Sequence, residues 1–319
     1  MKKKPIRTAM LSTIAASLAL ASSLAGAQQA DWTKSKWGPT DEIGAANYLK
    51  PQLVLDAARL IKTGKVYELG QVVSSETPAY APRSCSIYIV QPGQTQSTTL
   101  GPTKMSYNDD ILNCWIGMGS QIDGLGHVGI DNVYYNGNQA KDFAQIGGLA
   151  KLGIEKVPPI VTRGVLLDMA AYLGVDMVKE GTAFNQAEID GAAKKQGIEI
   201  RQGDVVLFHT GWAAMVKQDP KKFVAMQPGL GTGGARYLTS KGVVAVGADT
   251  AALEVIPFEK DAGLFEVHQI LLAMTGTYIL EGMNTAALAK DKAYEFMFVL
   301  GHAKYKGAVQ SMINPVAIR

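Results

Sequence analysis

The stretch Gly203-Asp204-Val205-Val206-Leu207-Phe208-His209-Thr210-Gly211-Trp212 holds an unbroken apolar run between two glycines. Four apolar residues without alternation suit a strand buried on both faces, the kind found in a sheet covered by helices. Val243–Val246 and Gly164–Met169 repeat the pattern. Asn185 to Lys195 reads as a helix: Asn185 can cap it, Glu188 three residues on completes a capping box, and Gly197 ends it. Pro51 to Lys62 reads as another, with proline at the first helical position and Leu53, Leu55, Ala58 and Ile61 on a patchy apolar face. Phe265–Met274 reads as helical and Tyr278–Leu280 as extended. Val66–Val73 and Ser86–Val90 read as strands, and Asn136-Gly137, after Val133-Tyr134-Tyr135, as a tight turn. Helices and strands mix without strict alternation. The fold class is therefore α/β, one domain from about residue 31 to 319 with a central mixed sheet.

Composition agrees with a globular chain: 47% of the 319 residues are hydrophobic and 18% charged. No linker, repeat or low-complexity run interrupts the sequence after residue 31. The N-terminus differs. Lys2, Lys3, Lys4 and Arg7 precede an apolar stretch from Ala9 to Leu24, and Ala25-Gly26-Ala27 offers a small-x-small cleavage site. This is the layout of a cleavable signal peptide over residues 1–27, and it predicts a periplasmic or secreted protein. The apolar stretch is shorter than the roughly 20 residues a membrane span needs. Removing residues 1–27 leaves 27 basic against 28 acidic residues, a net charge of −1. The mature chain thus shows no electrostatic sign of a nucleic-acid or membrane partner. Cys85 and Cys114 could pair in an oxidising compartment, and two buried thiols is an equally good reading.

Only four histidines exist: His127, His209, His268 and His302. The densest polar cluster is Gly117-Met118-Gly119-Ser120-Gln121-Ile122-Asp123-Gly124-Leu125-Gly126-His127. On an extended backbone Gln121 and Asp123 share one face. The glycines that follow permit a turn that swings His127 back toward the carboxylate. Carbonyl, carboxylate and imidazole together can hold a divalent cation; a glycine-rich surface turn with one stray histidine is the plainer alternative. His268 in Phe265-Glu266-Val267-His268-Gln269-Ile270-Leu271-Leu272 and Glu281 at the end of Thr277-Tyr278-Ile279-Leu280-Glu281 lie in apolar surroundings. Buried polar groups need partners, so these two either pair with each other or ligate a metal together.

The pattern from Gly119 to His127 resembles the cyclase-like metal-dependent hydrolases, the family of kynurenine formamidase, isatin hydrolase and trans-dienelactone hydrolase. Its usual signature is His-x-Gly-Thr-His-x-Asp-x-Pro-x-His. Further ordered blocks extend the resemblance over nearly the whole mature chain: Trp37–Gly44 with Asn47-Tyr48-Leu49, Gly203–Leu207 with Thr210-Gly211-Trp212, Gly247-Ala248-Asp249-Thr250, His268 to Asn284, and Asn314–Ile318. Asp123 and His127 fall on the signature's Asp and last His. Gln121 stands at the second His and Gly117 where the first would be, as in a longer branch that carries Ser/Thr-Gln here.

The resemblance implies a central mixed, partly closed sheet covered by helices, and a homo-oligomer. It implies hydrolysis of a cyclic amide, lactone or N-acyl bond of a small molecule, with a divalent metal, Zn or Mn, activating water. The metal ligands are expected among Gln121, Asp123, His127, His268 and Glu281. His127 or Glu281 would move protons, and Asp249 and Asn284 would orient the ligands; a strand-end turn and a helix cap are the structural alternatives for the last two. His209, at a strand end, is expected to face substrate, as are Trp115 and Trp212, although aromatics near a motif are also core material. A catalytically degraded periplasmic binding protein on the same fold is the competing function, motivated by the two missing imidazoles. A structural protein with a non-catalytic metal is a third.

Overall fold

The computed structural model describes residues 31–90 and 99–319; the expected signal peptide lies outside the described residues. Nine strands build the main sheet. In chain order they are β1 (Val66–Glu68), β2 (Gln121–Asp123), β3 (Ile160–Asp168), β4 (Val205–His209), β5 (Ala245–Ala248), β6 (Tyr278–Glu281), β7 (Glu295–Leu300), β8 (Gln310–Met312) and β9 (Val316–Ile318). Their spatial order is β1-β9-β7-β3-β4-β5-β6-β2-β8. The central four, β3 to β6, run parallel, and the flanking pairs are antiparallel. The unbroken apolar run of β4 fills the middle of this sheet, and Val205, Val206, Leu207 and Phe208 are all buried. Burying side chains of that size contributes about 1.5–3 kcal/mol each, which is why an alternating pattern would be out of place there.

The longest helices among the described residues are α1 (Pro51–Ala58), α2 (Gln186–Gln196) and α3 (Thr232–Ser240). α1 lies against β3 and β7. α2 opens on its capping box, where the Asn185 N–H donates to Glu188 Oε2 at 2.9 Å, and closes on Gly197 in the left-handed conformation. The segment Phe265–Met274 is helical as expected, but only Glu266–His268 is α; Gln269–Met274 is π. The Thr275 hydroxyl meets the carbonyls of Ile270 and Leu271, and Thr277 N donates to Leu271 O, so the wider turn does not strand its acceptors. The N-terminal segment docks nearby. Ala45 N donates to Gly276 O at 2.8 Å, and Gly44 has φ +50, where a Cβ would stand 2.4 Å from that same oxygen.

The expected strand Val66–Val73 pairs only over Val66–Glu68. Beyond it the chain crosses the strand ends: Leu69 N bonds Pro315 O, Asn284 N bonds Leu69 O, and Gln71 N bonds the Ser120 hydroxyl. Cys85–Val90 and Asp109–Cys114 form a separate antiparallel ribbon. Cys85 and Cys114 face each other at its root and are joined in a disulfide, so the two-thiol alternative does not hold. Among the described residues, no helix is long and apolar enough to cross a membrane.

Candidate metal centre

β2 lies between β6 and β8. Its register sets Gln121 beside Glu281 and Met312, and Asp123 beside Ile279 and Gln310. Side chains directly opposite one another share a sheet face, so Gln121, Asp123, Glu281 and Gln310 converge on one side. Gly282 makes the approach possible. It has φ +60, and a Cβ there would fall 2.5 Å from Gly119 O; the Ser120 hydroxyl donates to Gly282 O at 2.6 Å. The helix start at 266–268 brings His268 over this face.

Asp123, His268 and Glu281 each offer one ligand atom, all within 4.8 Å of one another, and all three residues are buried. His268 Nε2 stands 3.1 Å from Glu281 Oε1 and 3.8 Å from Asp123 Oδ2. His127 Nε2 lies 4.0 Å from the same Asp123 oxygen, brought back by the turn after β2. The remaining carboxylate oxygens are held by amides. Gln310 Nε2 donates to Asp123 Oδ1 at 2.6 Å; Gln121 Nε2 donates to that oxygen at 3.2 Å and to Glu281 Oε2 at 2.7 Å. Asp123 Oδ2 is left buried with no hydrogen-bond partner. A carboxylate oxygen without a donor, beside an imidazole nitrogen and a second carboxylate oxygen, fits a divalent cation.

The electrostatics match this crowding. Burial lowers the His268 pKa, but its contacts with Glu254 and Glu281 outweigh that and push it up to about 10. Burial, then the charge of Asp123, raise Glu281 to about 7. Burial lowers His127 below its ordinary value, which favours a neutral imidazole able to accept a proton. A cavity that shares Gln121 with the cluster is lined by Gln71, Tyr80, Arg83, Gly117 and Phe223, among others.

Several expected site residues stand elsewhere or act otherwise. Gln121 turns its amide nitrogen to the two carboxylates, so it positions them rather than presenting its oxygen to the cluster. His209 and Asp249 form a second cluster. His209 Nδ1 is 3.3 Å from Asp249 Oδ2 and 2.8 Å from the Thr285 hydroxyl. Asp249 accepts from Thr210 N, Thr210 Oγ1 and Gly211 N. Phe208 lies level with Ala248, and Gly247 with Leu280. The pleat therefore puts His209 and Asp249 on the face opposite Glu281, and Asp249 orients His209 rather than a metal ligand. Asn284 is exposed and lines the cleft in front of His209. Trp212 is buried in a small core with Met215 and Phe223, its indole N–H toward Phe223 O at 3.3 Å, so it backs the cavity wall without lining it. Trp115 is 52% exposed at the ribbon's root, where its N–H bonds Ser84 O.

Four residues of the centre escape a sequence reading. Glu254 accepts from His268 Nδ1 at 2.5 Å, which leaves Nε2 for a cation. A lone acid in Ala251-Ala252-Leu253-Glu254-Val255-Ile256 is the same signal that marked His268 and Glu281. Gln310, Tyr80 and Arg83 carry no such mark.

The geometry defines a buried Asp-His-Glu cluster on one face of the sheet that could hold a metal ion. The model of the Cyclase family matches residues 67–255, and the chain belongs to that family. A crystal structure described as a novel cyclase is 30% identical, with a TM-score of 0.82 over 89% of this chain and 98% of that one. Isatin hydrolase A from Ralstonia solanacearum shares the fold at 17% identity and TM-score 0.61, over 84% of this chain and 97% of its own. A potential metal-dependent hydrolase with cyclase activity does so at 17% identity and TM-score 0.52, over 79% and 98%. No curated protein sequence matches.

Proposed function

We propose that this chain is a metal-dependent hydrolase that opens a cyclic amide, lactone or N-acyl bond of a small molecule. The observation that carries the reading is Asp123 Oδ2: buried, unpartnered, and facing His268 Nε2 with Glu281 Oε1 alongside. Asp123, His268 and Glu281 would hold the ion, and a set of two carboxylate oxygens and one imidazole accepts Zn or Mn. When bound, such an ion supplies Lewis acidity toward a carbonyl oxygen and a water.

The protein's own groups do the rest. Glu254 fixes the His268 tautomer. Gln121 and Gln310 keep the two carboxylates turned toward His268. His127 takes a proton from the attacking water and returns it to the leaving atom. Family membership and the names of the structural relatives, isatin hydrolase among them, support this chemistry. The chain works in the periplasm or outside the cell, after loss of residues 1–27, and as a homo-oligomer built through its apolar ribbon.

The test is elemental analysis of the mature protein, followed by a hydrolysis screen over lactones, cyclic imides and N-formyl amides. About one Zn or Mn per chain with turnover in one of these classes is expected. A metal-loaded protein that binds such a compound without cleaving it would establish the binding-protein reading instead.

A further inference from the structure

Two buried side-chain atoms, one in the metal cluster and one in the cavity that Gln121 also lines, have unmet hydrogen-bonding capacity of opposite kinds. Asp123 Oδ2 is an acceptor without a donor. The Tyr80 hydroxyl is buried without a partner. A hydroxyl buried without a partner is unfavourable, so Tyr80 stands ready for an acceptor that arrives with a ligand. It lines the same cavity as Gln121, Gly117 and Met118.

Arg83, three residues further along, lines that cavity too. Its Nη1 donates to Gly117 O at 2.6 Å, and its guanidinium lies 5.9 Å from the centre of the Tyr80 ring. A Cβ at Gly117 would fall 2.9 Å from Arg83 Nη1 and 3.0 Å from Gln310 Oε1. The side chain that Gly117 lacks is thus what leaves room for a guanidinium. A guanidinium carries five N–H donors, and the Gly117 carbonyl occupies one direction of that fork.

Building on the hydrolase reading above, we propose that Tyr80 and Arg83 form a donor pair that receives the substrate's acyl oxygen as it becomes negative, and the product's carboxylate oxygen afterwards. In the step they serve, the water oxygen bonds to the acyl carbon and the carbonyl π pair moves onto the acyl oxygen. The water gives one proton to His127. The pair on oxygen then re-forms the carbonyl, the bond to the leaving nitrogen or oxygen breaks, that atom takes the proton back, and the new acid group gives its remaining proton to solvent to become the carboxylate. The acyl oxygen is most negative between these two events. Donors fixed before the reaction stabilise that point most, and losing one typically lowers kcat about 10²–10³-fold.

The experiment uses the mature protein supplemented with Mn²⁺, with benzoate as the carboxylate probe, in calorimetric titrations of the parent, Tyr80→Phe and Arg83→Met. Benzoate should bind the parent and bind each variant about tenfold or more weakly, with metal content unchanged. Equal affinity in all three proteins, or no binding to the parent, overturns the donor pair. Tyr80→Phe removes one oxygen and keeps the ring, so it decides the matter alone if Arg83→Met does not fold. On any substrate the parent cleaves, both variants should lose kcat with KM little changed; a raised KM at parental kcat overturns the role. A parent that cleaves nothing, with benzoate weakened in the variants, would sink the hydrolase reading and leave the donor pair standing.

Discussion

At the scale of the residue, the centre is organised by which carboxylate oxygens are already occupied. Amide donors hold Asp123 Oδ1 and Glu281 Oε2, so Asp123 Oδ2 and Glu281 Oε1 are the oxygens left for a cation. In Asp123→Asn the side-chain oxygen would stay with Gln121 and Gln310, and an NH₂ group would replace Oδ2 in front of His268. That exchanges a ligand for a donor. Elemental analysis should show metal content reduced at least about tenfold, with hydrolysis lost alongside, since a structural site seldom survives removal of a charged ligand. Parental metal content in this variant would mean the site lies elsewhere. His127→Ala should behave differently. Asp123, His268 and Glu281 remain, so metal content stays near parental while the rate falls about 10²–10⁴-fold. The candidate cluster of Asp123, His268 and Glu281 was legible in the sequence because histidines are scarce and because His268 and Glu281 sit in apolar runs. The sense of Gln121 was not, since an amide can present either end and only its carboxylate neighbours decide. Arg83 and Tyr80 arrive on a loop, where no periodicity marks them.

At the scale of the element, the docked N-terminal segment depends on one carboxylate. Asp41 accepts from Tyr135 Oη at 2.6 Å, Ser35 Oγ at 2.7 Å, Asn47 Nδ2 at 2.8 Å and Ile43 N at 3.1 Å. Burial alone would raise its pKa, but these donors outweigh it and hold the folded-state value below the ordinary 3.8. A carboxyl whose pKa falls on folding stabilises the fold above its unfolded pKa and loses that contribution as pH drops through the folded value. Urea midpoints of the parent should therefore decline from about pH 5 downward, and Asp41→Ala should be less stable near neutrality but show a shallower decline. Parallel curves for the two proteins would exclude Asp41 as the source. Strands β3 to β6 and the capped helix α2 could be read in advance because their signals are local: unbroken apolar runs, and an Asn-x-x-Glu start with a glycine stop. The π turns of Gln269–Met274 could not. Their spacing follows from Thr275 and Thr277 meeting carbonyls, which no apolar pattern encodes.

At the scale of the molecule, the ribbon Cys85–Val90/Asp109–Cys114 has apolar residues on both faces. Ile87 faces Leu112 and Tyr88 faces Ile111, each of the four at least 51% exposed. Exposed apolar surface of this kind in a ribbon outside the main sheet calls for a partner. Light scattering of the mature protein should give a dimer or larger assembly, and Ile87→Glu with Leu112→Glu should release monomers whose metal content is unchanged. An unaltered mass for the double variant would place the interface elsewhere. The mixed sheet was expected at this scale, whereas the ribbon's separation from it was not: Ser86–Val90 reads as a strand whichever sheet it joins.

If residues 1–27 direct export as proposed, the bridge at the ribbon's root would link that export to the pocket. Cys85 follows Arg83 by two residues, and Cys114 precedes Gly117 by three. Oxidation therefore staples the loop that carries the guanidinium to the loop whose carbonyl receives it. In a thiol-reducing compartment the same sequence would keep its buried sheet, which owes nothing to sulfur, but the two ribbon strands beside the pocket would be held together by their hydrogen-bond ladder alone. An export signal over residues 1–27, as proposed above, would then set more than where the protein resides. It would decide how firmly one positive charge is held over the reacting carbon.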